Sequence, residues 1–209
     1  MCIRDSSRGL QGLKCGTLSP ELLVNFYEQE LRRMGGVVKY NTKVGSLLLE
    51  PVTKLGIPSE PVLWQDKRIA GVRIGSANIV ANTVILAAGC WTNTLLDPVG
   101  IDAHIKPKKR QIFCLRGPSI EELLYTKGFN KSNIMPFTIL PKAGIFIRPE
   151  KAERGFWIGG ADELGRPFEF EEDPQAERDY YTYSIHPVLS KYFPQFRNIV
   201  PYNMWAGQY

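Results

Sequence analysis

Hydrophobic positions along this chain follow two periods, one helical and one extended. Ser19-Pro20-Glu21 supplies a capping hydroxyl, a first-turn proline and an acid near the positive end of a helix dipole. Leu23, Phe26, Tyr27, Leu31 and Met34 then fall on one helical face, and Gly35-Gly36 ends the segment after Arg32 and Arg33. The pattern next turns extended: a strand over Val37 to Tyr40, a polar turn at Asn41-Thr42-Lys43, and a second strand from Val44 to Leu49. Val62 to Trp64 and Ile69 to Ile74 follow, and Gly75-Ser76 predicts a hairpin turn into Ala77 to Val80. Val84 to Ala88 is five consecutive apolar residues, the pattern of a strand buried on both faces in a parallel sheet.

Gly89 closes that run, ahead of Cys90, Trp91 and a short helical turn at Thr92 to Leu96. In open α/β sheets ligands sit at the carboxyl ends of strands. Gly89 is therefore either a point of close ligand approach or a plain turn glycine. Tyr180 to His186 reads as a helix broken at Pro187.

This order of segments resembles the FAD-dependent oxidoreductases of the D-amino-acid oxidase, glycine oxidase and sarcosine oxidase superfamily. The residues that carry the likeness are Pro20, Val37-Val38, Val44, Ile69 to Gly75, Val84 to Trp91 with Leu95-Leu96, Arg148, Gly159-Gly160, and Trp205 to Tyr209. By the same likeness Ile105 to Ile112 resembles the strand that crosses into the substrate domain, Ile145-Phe-Ile-Arg-Pro149 with Phe156-Trp-Ile-Gly-Gly160 resembles the family's hairpin, and Trp205-Ala206-Gly207 its Trp-Ala-Gly strand. Within the superfamily they look most like the FAD-dependent oxidoreductase domain-containing proteins, one of which serves in respiratory complex assembly. The resemblance implies an α/β (α+β) fold: a partial FAD-binding, Rossmann-like domain with a β-meander, then an antiparallel-sheet substrate domain. It places the middle of the FAD domain at about residues 9–104, the substrate domain at 105–203, and a return toward the FAD domain at 204–209.

The same resemblance implies FAD as cofactor and oxidation of a C–N bond in a small amine or amino acid, by hydride transfer to the flavin. Val44 would meet the adenine, Ala87, Ala88 and Gly89 would line the adenosine side, and Trp91 would either pack nearby or anchor the short helix. On the substrate side, the family's arginine after Trp-Ala-Gly is replaced by Gln208 and Tyr209, and its lysine is missing from Phe156-Trp157-Ile158. Arg148 becomes the candidate for gripping a carboxylate, because a planar fork matches that group, or else it is a surface arginine. Tyr209 either donates to the substrate or packs. No catalytic residue is assigned. The departures favour either a dehydrogenase-type relative or a non-catalytic, flavin-fold assembly factor with a protein partner.

Family members bind the FAD pyrophosphate through Gly-x-Gly-x-x-Gly, which Gly9, Gly12 and Gly16 do not reproduce. The expectation is therefore an internal piece of a longer flavoprotein, inactive alone, with Met1 to Ser7 non-native or disordered. Composition adds limits. With 44% hydrophobic residues in 209, the chain can bury a sizeable core. Its apolar runs are too short to span a bilayer. Cys2, Cys15, Cys90 and Cys114 lack metal spacing with His104 and His186, so no metal site is expected and a reducing, intracellular compartment is. A net charge of +5 raises nucleic-acid binding, centred on Lys106-Pro-Lys-Lys-Arg110. That run leads directly into Gln111-Ile-Phe, so a solvated strand start is expected and no nucleic-acid partner. Acids gather after Asp162, and Gly165 to Phe170 reads as either a lid or surface decoration. His186 is either a structural helix-end residue, the reading favoured, or a catalytic histidine.

Overall fold

The computed structural model describes residues 10–12, 14, 16–160 and 167–209, with Pro141 by its backbone alone. Met1 to Ser7, Gly9, Cys2, Cys15, Asp162, Glu163 and the start of the Gly165 loop lie outside those residues. The chain divides into two compact units, one of Thr17–Ile105 and one built on Lys106–Tyr209.

In the first unit, α1 spans Pro20–Arg33 as its pattern predicts. Ser19 Oγ accepts from the Leu22 amide, and Arg32 pairs with Glu28 at 2.8 Å, four residues back. The helix stops where Gly35 takes a left-handed φ of 87°. Yet α1 buries none of its residues, and Phe26 and Tyr27 pack edge to face on an uncovered surface. Three antiparallel strands follow: β1 (Ser46–Pro51), β2 (Lys67–Ile74) and β3 (Ala77–Val80), in the order β1-β2-β3. Gly75-Ser76 makes the predicted hairpin, with Ile74 opposite Ala77.

Three expected strands are corrected. Val37 to Tyr40, Val62 to Trp64 and Val84 to Ala88 form no ladder, and Ile85 is 86% exposed. An apolar run becomes a buried strand only when neighbours satisfy its N–H and C=O groups on both sides. Among the described residues no strand lies beside any of the three segments. After Val84 to Ala88, α2 (Thr92–Leu96) follows a single turn at Gly89–Trp91 and packs on β1.

The second unit holds a five-stranded antiparallel sheet ordered β5-β6-β7-β4-β8. Its strands are β4 (Lys109–Arg116), β5 (Thr138–Leu140), β6 (Ile145–Glu150), β7 (Gly155–Gly160) and β8 (Asn203–Gln208). The hairpin β6–β7 and the strand β8 stand where the family resemblance places them. Alternation along the strands separates two faces. Phe113, Leu115, Ile145, Ile147, Phe156 and Ile158 point inward. They pack on α3 (Pro118–Glu121), α4 (Arg178–Tyr180) and α5 (His186–Tyr192) through Ile120, Tyr180 and Leu189.

The predicted helix break at Pro187 takes another form. A wide π-type turn over Tyr181–Ile185 joins α4 to α5, and Pro187 sits in the first turn of α5, where its missing N–H costs nothing. The Gly159-Gly160 pair also acquires a reason. A side chain on Gly159 would stand 2.3 Å from Cζ of Phe146 on the outer face. One on Gly160 would stand 2.9 Å from the Tyr180 hydroxyl on the inner face.

Candidate functional site

In the first unit, the residues expected to meet the cofactor lie at the two ends of chain segments. Val44 is half-buried just ahead of β1, where the Gly45 amide donates to the Arg73 carbonyl at 2.8 Å. Gly89 has a φ of 54°, and a Cβ built there meets nothing within 4 Å. Left-handed backbone with open space in front of it is the arrangement that lets a flat group approach the main chain. Ala87 is exposed and Ala88 half-exposed, so small side chains flank the glycine. Trp91 is 40% exposed, its amide bonded to the Ala88 carbonyl at 3.1 Å. Cys90, Thr92 and Leu95 are buried beneath the turn and hold it in place. The open backbone at Gly89, flanked by Ala87 and Ala88, leaves room for a planar, aromatic cofactor edge.

In the second unit, the outer face of the five-stranded sheet is not covered by α3, α4 or α5. It carries Arg148, Trp157, Cys114, Trp205, Arg110, Gly207 and Tyr209, all of one alternation parity through the ladder pairs Arg148↔Trp157, Cys114↔Trp157, Ile112↔Trp205 and Arg110↔Gly207. The Arg148 guanidinium lies 4.7 Å from the Trp157 ring centre. Trp157 meets Trp205 edge to face at 4.8 Å. The Trp157 indole N–H donates to Glu153 at 2.9 Å, and the same carboxylate accepts from the Tyr202 hydroxyl.

Arg148 is not an idle cation. Its Nε lies 2.6 Å from Oε1 of Glu150, so the two charges are paired within the chain. Burial pushes the Glu150 carboxyl above its usual value, against the lowering field of Arg148 and with Glu153 raising it further. Tyr202 is pushed up to about 12, by desolvation and by its bond to Glu153. Tyr209 is 85% exposed at the end of β8, with the Arg110 guanidinium 5.7 Å from its ring.

The basic run is not the solvated strand start that its composition suggests. Lys109 faces inward, 12% exposed, with Nζ 2.8 Å from Glu177 and 3.2 Å from Glu171. Lys108 lies over Phe168 at 5.2 Å and Arg110 over Tyr209. Lys108, Lys109, Pro167, Glu169, Glu171 and Glu177 line a half-open pocket of about 260 Å³. In the sequence Arg110 stands out only as part of that basic run. Strand alternation from inward Phe113 and Leu115 puts residue 110 on the outer face, and that signal was available in the sequence. His186 Nε2 is 3.0 Å from the Arg197 carbonyl and 3.2 Å from Ser190 Oγ, at the start of α5.

A family model described as FAD dependent oxidoreductase (DAO) matches residues 4–209. "FAD-dependent oxidoreductase domain-containing protein 1" of Xenopus laevis is 22% identical over 219 residues, covering 93% of this chain and 39% of its own length. Glycine oxidase of Pseudomonas aeruginosa is 24% identical over 145 residues, covering 69% of this chain and 34% of its own. The chain thus spans between a third and two fifths of these relatives. Among solved structures, iminodiacetate oxidase from Chelativorans sp. BNC1 superposes with a TM-score of 0.55 at 16% identity, covering 90% of this chain and 42% of that one. Glycine oxidase from Bacillus cereus gives 0.54 at 15%, covering 89% and 42%. At these identities the superpositions show the fold.

Proposed function

The chain belongs to the DAO family of FAD-dependent oxidoreductases, with FAD as the family's cofactor, and from that premise we propose that it oxidises a C–N bond of a small amine or amino acid. Bound FAD supplies the hydride acceptor, so the protein's part is to hold and orient the substrate and to exclude water. We assign the flavin nucleotide's contacts to Val44, Ala87, Ala88, Gly89 and Trp91. The observation that carries the substrate reading is the sheet face opposite α3, α4 and α5, where two arginines, Arg110 and Arg148, stand on aromatic rings. A guanidinium stacked on a ring keeps its fork rigid and its N–H groups aimed outward, the preorganised grip for a carboxylate. Arg148, Trp157 and Trp205 form a wall of that face, and Tyr209 offers a phenol at its end.

A second reading has one observation in its favour. Arg148 already faces Glu150, so its charge is matched within the chain. A protein that keeps the fold and the flavin for complex assembly, without turnover, needs no free carboxylate grip. Anaerobic mixing of the FAD-loaded native protein with a panel of N-methylated and unmodified amino acids separates the two. Bleaching of the oxidised flavin by one of them is the expected result. A flavin that stays oxidised with every amine, while dithionite reduces it, overturns the enzymatic reading.

A further inference from the structure

We propose that the loop of residues 125–134, between α3 and β5, docks on a lipid surface rich in anionic headgroups. Phe129 enters the acyl boundary, and Lys127 and Lys131 meet the headgroups. None of these residues belongs to the flavin or substrate assignments above, so the proposal stands apart from them.

The loop is closed and internally braced. Its feet are Leu124 and Met135, both buried in the core, with the Met135 amide donating to the Leu124 carbonyl at 2.8 Å. Above them Tyr125 and Ile134 pair as an antiparallel bridge, and the Thr126 amide donates to the Asn133 carbonyl at 3.0 Å. Two asparagines staple the tip. Asn130 Nδ2 donates to the Ile134 carbonyl at 2.7 Å, and its Oδ1 accepts from Ser132 Oγ at 2.8 Å. Asn133 takes a left-handed φ of 52°, and its Oδ1 accepts from the Gly128 amide at 3.1 Å.

This frame holds an apolar ring out in water. Phe129 is 51% exposed, and among the described residues it meets no other ring. Lys127 and Lys131 are exposed on either side of it, and among the described residues no acid pairs with them. The stretch 123–149 contains no Asp or Glu. The nearest acids before it are Glu121 and Glu122, and Arg154 pairs with the first at 2.7 Å. A lone exposed ring is ordinary on a protein surface. A ring fixed at a stapled tip between two unmatched lysines is a built feature.

The chemistry of the tip selects the partner. Its polar side chains, Asn130, Ser132 and Asn133, are turned into the loop's own hydrogen bonds, which leaves a ring and two ammonium groups facing out. These lack the directional donors and acceptors by which a folded protein or a base edge is read, and the loop has no guanidinium fork for a nucleic-acid phosphate. A fluid surface requires no such direction. Lysines are drawn to anionic headgroups, and aromatic side chains settle at the boundary beneath them. Among the described residues no helix is long and apolar enough to cross a bilayer, so the contact is peripheral. One ring and two lysines give weak, reversible, salt-sensitive binding.

The test sediments the native, FAD-loaded protein with vesicles of pure phosphatidylcholine and with vesicles containing about 30% phosphatidylglycerol. Partitioning onto the anionic vesicles should exceed the neutral ones by about fivefold or more at low salt and fall as salt rises. Lys127→Gln and Lys131→Gln should each weaken it about fivefold, and Phe129→Ser should weaken it severalfold. Lys54→Gln and Lys191→Gln remove the same charge from other exposed positions and should leave it within about twofold. Phe129→Trp should keep binding, and brominated acyl chains should quench its emission beyond any quenching of the wild type. All these substitutions leave the asparagine staples in place. Equal partitioning onto both vesicles overturns the proposal. So does binding unchanged in Lys127→Gln, Lys131→Gln and Phe129→Ser, or weakened as much in Lys54→Gln. Lysine-dependent retention on heparin or on an immobilised acidic protein, without vesicle binding, also overturns it and makes the tip a polyanion site. A flavin reduced by an amine, in a protein that ignores both vesicles, removes this surface alone and leaves the oxidation reading intact.

Discussion

Replacing Lys109 with methionine tests how the stretch 171–177 is held to the sheet. Lys109 projects inward from the first position of β4 and bridges Glu177 at 2.8 Å and Glu171 at 3.2 Å. Beside it, the Gln111 side-chain carbonyl accepts from the Glu177 amide at 2.6 Å, and Gln208 donates to the Glu171 carbonyl at 2.8 Å. Truncating one member of a fully buried ion pair costs about 3–5 kcal/mol. Here the lysine is 12% exposed but the two carboxylates are 37% and 38% exposed, so water takes up part of their released charge. Fully exposed pairs contribute only about 0.2–1 kcal/mol. Between those bounds, with a methionine filling the stem's volume, the loss should be about 2 kcal/mol.

That corresponds to roughly 30-fold faster opening of the local segment, read by hydrogen exchange at the amide of Glu177 and its neighbours. Lys109→Arg should keep most of the protection. The pH dependence has a definite sign. Desolvation lowers the Lys109 pKa, and the bonds to Glu177 and Glu171 outweigh it, leaving the folded value above 10.5. Stability from this ammonium is thus fully present below 10.5 and is lost as pH rises through the raised value. In chemical denaturation the gap between wild type and Lys109→Met should be constant near neutrality and close in that alkaline range. Protection within twofold of wild type, or a gap that persists unchanged above the raised value, refutes this account.

Other expectations are narrower. Glu150→Gln should free the Arg148 guanidinium and tighten acetate binding to the outer sheet face by a few-fold at neutral pH, measured by calorimetry. Because burial raises the Glu150 carboxyl, the wild type should approach the variant as pH falls toward that raised value; equal affinities at every pH would contradict the pairing. Cys114 is 1% exposed and its thiol is pushed up to about 12 by burial, with Glu153 and Glu150 adding to the rise. A maleimide should therefore modify it on the order of 1000-fold more slowly in the folded protein than in urea, read by mass spectrometry of its peptide. Gly71→Ala should cost about 3 kcal/mol. Gly71 has a φ of 150°, and a Cβ there stands 2.0 Å from the Ile79 carbonyl, beside the bulge between Leu48 and Leu49. A midpoint in thermal unfolding that matches wild type would show that the strands separate freely at that point.

Much of the molecule was legible from short-range pattern. The cap and 3.6-residue period at Ser19 to Met34 produce α1, and Gly75-Ser76 turns β2 into β3; these signals need only local propensity and turn chemistry. The places of β6, β7 and β8 followed from the family resemblance. The family likeness was likewise readable from the order of such segments. What stayed hidden depends on partners far away in the chain. Val84 to Ala88 carries the composition of a buried strand, but composition supplies no neighbouring backbone, and the run stays exposed at Ile85. Lys109 sits in a basic run whose surroundings suggest solvent, until Glu171 and Glu177 are brought to it from more than 60 residues on. Most of all, the insertion of β4 between β7 and β8 sets Arg110 across from Gly207. Sequence alone fixes which way each residue of a strand points relative to its own neighbours. Only the ladder register, a product of non-local hydrogen bonding and of the core that β4 and β7 bury together, decides which side chains from distant segments share one face.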